Sequence, residues 1–360
     1  MGDIPDAGAS SLENWQSAVP ELATDRLAEF DTLLATKAKP PGSLGALEDV
    51  ARRLCLIQNT GAPKVLCPTI ILFAADHGIA EEGVSAYPQS VTAAMVTNFL
   101  RGGAAINVLA RESQAELVVV DAGVKTELAP QSGLISARIG AGTRNFLHGP
   151  AMTSDQLEVA MKRGRDVVDE VHARGCNTIG FGEMGIGNSS SAAVMISILC
   201  HAPLVHCVGP GTGLADHGVK RKISILESSL AGAPEVKTPK AVMAHFGGFE
   251  LAMMSGAMVR AGELRMAQLV DGFSATAAFL VAHGLEPRLI DYSFFSHLSA
   301  EPGHKVALEH LGVKALLQFS MRLGEGTGCA VALPVLRMAA ALVREMATFE
   351  TANIARAGQV

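Results

Sequence analysis

The chain has 360 residues, 29 Lys+Arg against 35 Asp+Glu, a formal charge of −6 and a pI near 6.0. That acidic balance, with only two Tyr and one Trp, excludes a phosphate-backbone binder with a basic stripe and a base-stacking surface. With 37 Gly but few aromatics, the core must be built from Ala, Val, Leu, Ile and Met, and the length allows two domains or one large domain with an annex.

In chain order, Met1 to Asp6 is acidic and lacks the basic and apolar regions of a signal peptide, and no uninterrupted apolar run reaches membrane-spanning length. The segment 329–343 comes nearest and is interrupted by Pro334 and Arg337, so the expected location is the cytoplasm, without membrane contact. Residues 12–35 read as a helix that ends before Lys39-Pro40-Pro41-Gly42, and a second helix is predicted from Ser43 to about Gln58. The pattern then changes. Short apolar runs at 67–75, 116–121, 177–181 and 203–208 predict strands buried on both faces, with weaker candidates at 264–270, 287–294 and 315–319. Helical stretches at 88–110, 154–174, 189–200, 214–231, 247–262 and 272–283 separate them.

This alternation predicts an α/β fold with a mainly parallel sheet covered by helices. The terminal helices at 12–58 and 328–350 have no strand between them and are expected to pack together as a small helical domain. The expected division is a large α/β domain over 60–327, with a small helical domain from 1–59 plus 328–360. The last residues, 355–360, are expected to fray. The six cysteines are dispersed with no CxxC spacing, which fits buried reduced thiols rather than a disulfide frame.

Ligands of open parallel sheets bind beyond the carboxyl ends of the strands. There the sequence places Asp76-His77-Gly78, the run Gly182 to Ser190, the turn Gly209 to Gly213 and the run Arg322 to Gly328. The segment Gly185, Ile186, Gly187, Asn188, Ser189 opens a helix, where backbone N–H groups and a partial positive charge can hold an anion. It matches neither Walker A nor GxGxxG, and a tight turn with Asn188 or Ser189 as helix cap explains it equally well. Gly211 lies in a second glycine turn. Lys220 could add a point charge for a phosphate, or be a solvated helix lysine beside Arg221 and Lys222.

Glu183 and Glu325 each stand among glycines and small residues just after a predicted strand. Poor local solvation would raise such a carboxylate toward general-base range, although capping of adjacent N–H groups is an equally good reading. Ser85, Tyr87 and Gln89 place three hydrogen-bonding side chains in one loop, either a proline turn or a recognition loop for a small aromatic ring. His77 and His217 both lie in Asp-His-Gly triplets, but the spacings match no metal motif and no GxSxG elbow appears.

Taken together, KPPGSLGALE (39–48), FAADHGIAEEGVSAYPQSVTAAMV (73–96), FLRGGAAINVLAR (99–111), VVDAGV (119–124), GTRNF (142–146), GEMGIGNSSSAAV (182–194), GPGTGL (209–214), SHLSAEPGH (296–304) and RLGEGTG (322–328) cover nearly the whole chain. In these stretches it resembles the nicotinate-nucleotide–dimethylbenzimidazole phosphoribosyltransferases, enzymes of cobalamin lower-ligand synthesis. The resemblance implies a Rossmann-like large domain, a homodimer, and transfer of the phosphoribosyl group of nicotinate mononucleotide to 5,6-dimethylbenzimidazole. It puts the catalytic base at Glu325, the phosphate loop at Gly185 to Asn188 with Lys220, and the base slot at Ser85, Tyr87 and Gln89 with Met184 and Leu323 as apolar walls. Glu183 becomes a second acidic residue at the site. No cofactor and no metal is called for. A metal-dependent hydrolase and a non-catalytic nucleotide-binding module remain as readings from other classes.

Overall fold

A computed structural model describes residues 18–355. The helices and strands are, in order, α1 (Leu27–Thr36), α2 (Ala46–Gln58), β1 (Thr69–Ala75), α3 (Ser90–Leu100), α4 (Ala105–Glu112), β2 (Glu116–Gly123), β3 (Leu134–Ser136) and α5 (Ser154–Ala173). They continue with β4 (Thr178–Met184), α6 (Asn188–Leu199), α7 (Asp216–Gly232), α8 (Pro239–Phe246), α9 (Phe249–Glu263), β5 (Ala267–Val270) and α10 (Phe273–Leu285). The last are α11 (Leu289–Tyr292), β6 (Ser293–Phe295), α12 (Pro302–Leu311) and α13 (Thr327–Glu345).

The six strands form one sheet in the order β3-β2-β1-β4-β5-β6, and every pairing is parallel. The apolar runs explain this directly. β1 is buried at all seven positions because helices cover both faces, α9 and α3 among them. The strand order reverses between β1 and β4, so the chain ends of these two neighbours frame the crevice where doubly wound sheets bind ligands.

The chain's two ends meet as expected: α2 packs on α1 and on α13. α13 also lies against β4 and β5, so it links the helical ends to the sheet. Among the described residues it is the one helix long and apolar enough to cross a membrane, and more than half of it is buried inside the fold. Of the first predicted helix, residues 12–17 fall outside the described residues, as does most of the 355–360 tail; the helix itself starts only at Thr24–Arg26 as a 3-10 turn.

Several predicted elements differ. The 203–208 run is a 3-10 turn over Leu204–His206, not a strand. Its buried residues are Leu204, Cys207 and Val208, a helical i, i+3, i+4 spacing, while Val205 is 53% exposed. The 315–319 run joins no named strand; it makes a single parallel bridge, His297 to Leu317, beside the end of β6. The 287–294 run is a helical turn, α11, before the short β6. The 88–110 helix divides into α3 and α4 at Gly102-Gly103, where the Asn107 side chain accepts from the Ala104 N–H to start α4. Two helices went unread although both open on a proline at the first turn after a capping position, Thr238-Pro239 and Glu301-Pro302.

Candidate active site

β1 ends on Asp76-His77. Asp76 is held by the Thr92 hydroxyl at 2.7 Å and the Lys125 N–H at 2.8 Å. Thr92 Oγ1 in turn accepts the Ile186 N–H at 3.2 Å, which anchors the glycine loop to the end of β1. His77 is fully buried beneath that loop, with Nδ1 2.8 Å from Ser191 Oγ and Nε2 2.5 Å from Glu250 Oε1. Its Asp-His-Gly counterpart His217 stands exposed on α7, so the two triplets form no common centre. Among the described residues no group of three or more His, Cys, Asp or Glu is arranged to hold a metal ion.

β4 carries Glu183 into the crevice, and the chain then turns through Gly185 to Asn188 into the N-terminus of α6. A cleft at this end of the sheet is lined by Glu183, Met184, Gly185, Ile186, Asn188, Ser189, Gly211, Leu323 and Gly324, all but Gly324 put forward by the sequence. It is closed by Arg322, from the predicted run 322–328, by His297, Ser299 and Glu301, from the SHLSAEPGH stretch but given no role there, and by Asp271, Phe273 and Ser274, which the sequence did not put forward. Gly187, with φ +101°, lies behind the loop against His77 and Ala80. The Gly209–Gly213 turn follows a 3-10 turn rather than a strand, yet it reaches the cleft. There the Gly211 N–H donates to Glu301 Oε1 at 2.9 Å and its carbonyl accepts from Arg322 at 2.8 Å.

Lys220 is exposed on α7 and lies outside the cleft lining. Two residues on, and therefore about 200° around the helix, Lys222 is 1% exposed, with Nζ 3.0 Å from Ser189 Oγ and 3.4 Å from Gly209 O. Burial pulls its pKa down to about 8 against the opposing pull of Glu301. The signal was in the spacing: Lys222 shares a stripe with buried Leu226 and Ser229, and Lys220 does not.

The two glutamates are adjacent. The Glu325 N–H donates to the Glu183 carbonyl at 3.2 Å, joining the end of β4 to the turn before α13. That contact needs Gly182, since a Cβ there would fall 2.4 Å from Gly326 N. Burial, reinforced by Glu250, Asp271 and Glu325, pushes the Glu183 carboxyl well above its usual range, although the Asn188 amide donates to it. Burial also raises Glu325, opposed by one N–H, that of Ile106 at the start of α4, 3.4 Å from Oε2. Glu325 sits just behind the cleft wall formed by Leu323 and Gly324. The Ser85 loop meets the Gly209–Gly213 turn through Ser85 Oγ and Thr212 Oγ1 at 3.5 Å, and Tyr87 is exposed. Gln89 is occupied, donating to His77 O at 2.7 Å and accepting from Lys125 Nζ at 3.1 Å.

A helix N-terminus with a buried lysine, near buried carboxylates at the reversal point of a parallel sheet, is an arrangement able to hold an anion beside a proton acceptor, the layout of an enzyme's ligand cleft. The phosphoribosyltransferase family DBI_PRT matches residues 19–354. Nicotinate-nucleotide–dimethylbenzimidazole phosphoribosyltransferases of Cupriavidus taiwanensis and Cupriavidus necator are 51% and 50% identical to it. They cover 94% and 91% of this chain, which spans 98% and 95% of theirs. The crystal structure of CobT from Thermus thermophilus superposes with a TM-score of 0.89 at 41% identity, covering 92% of this chain and 99% of that one. The chain belongs to the nicotinate-nucleotide–dimethylbenzimidazole phosphoribosyltransferase family, and it is a phosphoribosyltransferase.

Proposed function

We propose that this enzyme transfers the phosphoribosyl group of nicotinate mononucleotide to 5,6-dimethylbenzimidazole, with inversion at C1′ and Glu325 as general base. The observation that carries the reading is Glu325 itself: a buried carboxylate, raised by burial against the Ile106 N–H at 3.4 Å, on a backbone bonded to the Glu183 carbonyl at the end of β4. A carboxylate so weakly solvated is a good proton acceptor.

The chemistry needs one such group. The pyridinium nitrogen of nicotinate mononucleotide takes back the C1′–N electron pair as it leaves, so its departure needs no general acid. One benzimidazole nitrogen forms the new bond to C1′ with its lone pair, and the proton on the other nitrogen passes to Glu325. Attack opposite the leaving ring converts a β-nucleotide into α-ribazole 5′-phosphate. Gly185 to Ser189 at the start of α6 is the proposed phosphate site, with Gly211 beside it and charge from Lys222 or, as the family pattern first indicated, Lys220. Met184, Leu323 and Tyr87 are the proposed walls of the base slot, with Ser85 and Gln89 at its edge. A homodimer is proposed with it.

The Glu325→Gln variant is expected to keep the melting temperature and the KM for nicotinate mononucleotide while kcat falls at least about a hundredfold. Near-normal turnover would remove Glu325 from the role of base.

A further inference from the structure

Asp271 follows β5 directly and is 2% exposed, in the wall of the cleft. Its Oδ2 accepts the Gly326 N–H at 3.0 Å and its Oδ1 the Gly328 N–H at 2.6 Å. Both N–H groups lie just after Glu325, the first in the Glu325–Gly326 peptide itself and the second in the first turn of α13, and Glu325 holds a left-handed backbone with φ 63°. A non-glycine residue adopts that conformation only where its surroundings impose it. The clamp is closely fitted. A Cβ on Gly328 would fall 2.6 Å from Asp271 Oδ1 and 2.1 Å from His297 Cδ2, and His297 Nε2 closes the far side 3.8 Å from Oδ1.

A helix cap alone would not need this arrangement. α13 has no cap from its own preceding residues; the acceptor comes instead from the sheet, ahead in sequence by more than fifty positions. It is also an acid, buried beside Glu325 and Glu183, where a Ser, Thr or Asn cap would avoid like-charge crowding. What a carboxylate uniquely supplies here is two acceptors to two diverging N–H groups.

We propose that Asp271 is a positioning residue for phosphoribosyl transfer, its two carboxylate oxygens fixing the Glu325–Gly326 peptide and the start of α13 so that the turn before the helix presents Glu325 to the acceptor base. This rests on the reading of Glu325 as the base. In this role Asp271 acts through that turn, so its removal is expected to shift the base without emptying the phosphate site.

The test uses the full chain in steady-state assays with nicotinate mononucleotide and dimethylbenzimidazole. Asp271→Asn, which replaces one acceptor by a donor, is expected to lower kcat by about tenfold or more and to leave the KM for nicotinate mononucleotide within about threefold. In a Glu325→Gln background the same change is expected to lower kcat by no more than about twofold, because the group it positions is already gone. Near-normal kcat in Asp271→Asn, an effect confined to KM, or losses that multiply in the double variant would each overturn the proposal. Asp271→Ser, which keeps one small acceptor, is the second variant; if neither variant folds, Asp271 is a structural cap and the proposal is wrong. The two readings fail separately. Normal turnover in Glu325→Gln removes the base, whereas a slow Glu325→Gln beside a normal Asp271→Asn removes only the clamp.

Discussion

Lys220 and Lys222 show how much a phase difference of two residues decides on a helix. Lys220 points outward, while Lys222 is buried against Ser189 and the Gly209 carbonyl, close to Glu301. A buried ammonium is costly unless paired, and Lys222 stands at the mouth of α6, the proposed phosphate site. Lys222→Ala is therefore expected to raise the KM for nicotinate mononucleotide at least about tenfold, the range of one charge-assisted hydrogen bond, with Lys220→Ala within about twofold. The reverse ranking in the same titration would return the phosphate charge to Lys220. Glu183 poses the complementary case. Its carboxyl is pushed up by burial and by three neighbouring acids, and it receives the Asn188 amide. Glu325 is raised as well, chiefly by burial, so two adjacent carboxyls are both held above their usual range, and the proposed role of Glu325 as base gives Glu183 the supporting part.

At the scale of elements, what the sequence disclosed was what local physics controls. β1, β2, β4 and the helices α5, α6 and α10 stand within a few residues of their predicted bounds, because continuous apolar runs encode the strands and the buried α6 and α10, and the Thr153 capping box opens the amphipathic α5. The run at 203–208 failed because an apolar hexamer reads equally as a strand or as a turn showing three residues to the core. The short β3 and β6 owe their pairing to neighbouring strands, which no local pattern records. The site divides the same way. Gly185 to Ser189, Glu183, Met184, Gly211 and Leu323 announce themselves as isolated polar or glycine-rich runs after strands, and all but Gly187 line one cleft. Asp271 follows a strand that was read, but a lone aspartate there gave no signal; Ser299 and Glu301 precede the unread α12, His297 follows the short β6, and Lys222 was hidden in a basic run.

The whole molecule is organised by its strand order. Reversal between β1 and β4 opens one crevice; the run after β4 lines it, and the Asp76-His77 run after β1 supports that run from beneath. We propose that the chain ends, 1–59 with 328–360, form a small helical unit beside a 60–327 catalytic unit; α1, α2 and α13 packing in series supports it. The loops flanking the cleft expose Tyr87, Phe319 and Leu323, each more than half accessible, and the proposed homodimer is tested by mass. Light scattering is expected to give a mass twice the 37.4 kDa of one chain, and a monomer at micromolar concentration would contradict the homodimer.

In-line displacement across a cleft with the phosphate held on one side and the base on the other leaves a stereochemical record. The most direct measurement is therefore the anomeric configuration of the nucleotide formed when the purified protein is mixed with nicotinate mononucleotide and dimethylbenzimidazole. The expected result is stoichiometric nicotinate release with a pure α-nucleotide, the benzimidazole standing opposite the position the nicotinate left. A β-nucleotide, or nicotinate released with free ribose 5-phosphate and no new glycosidic bond, would contradict it.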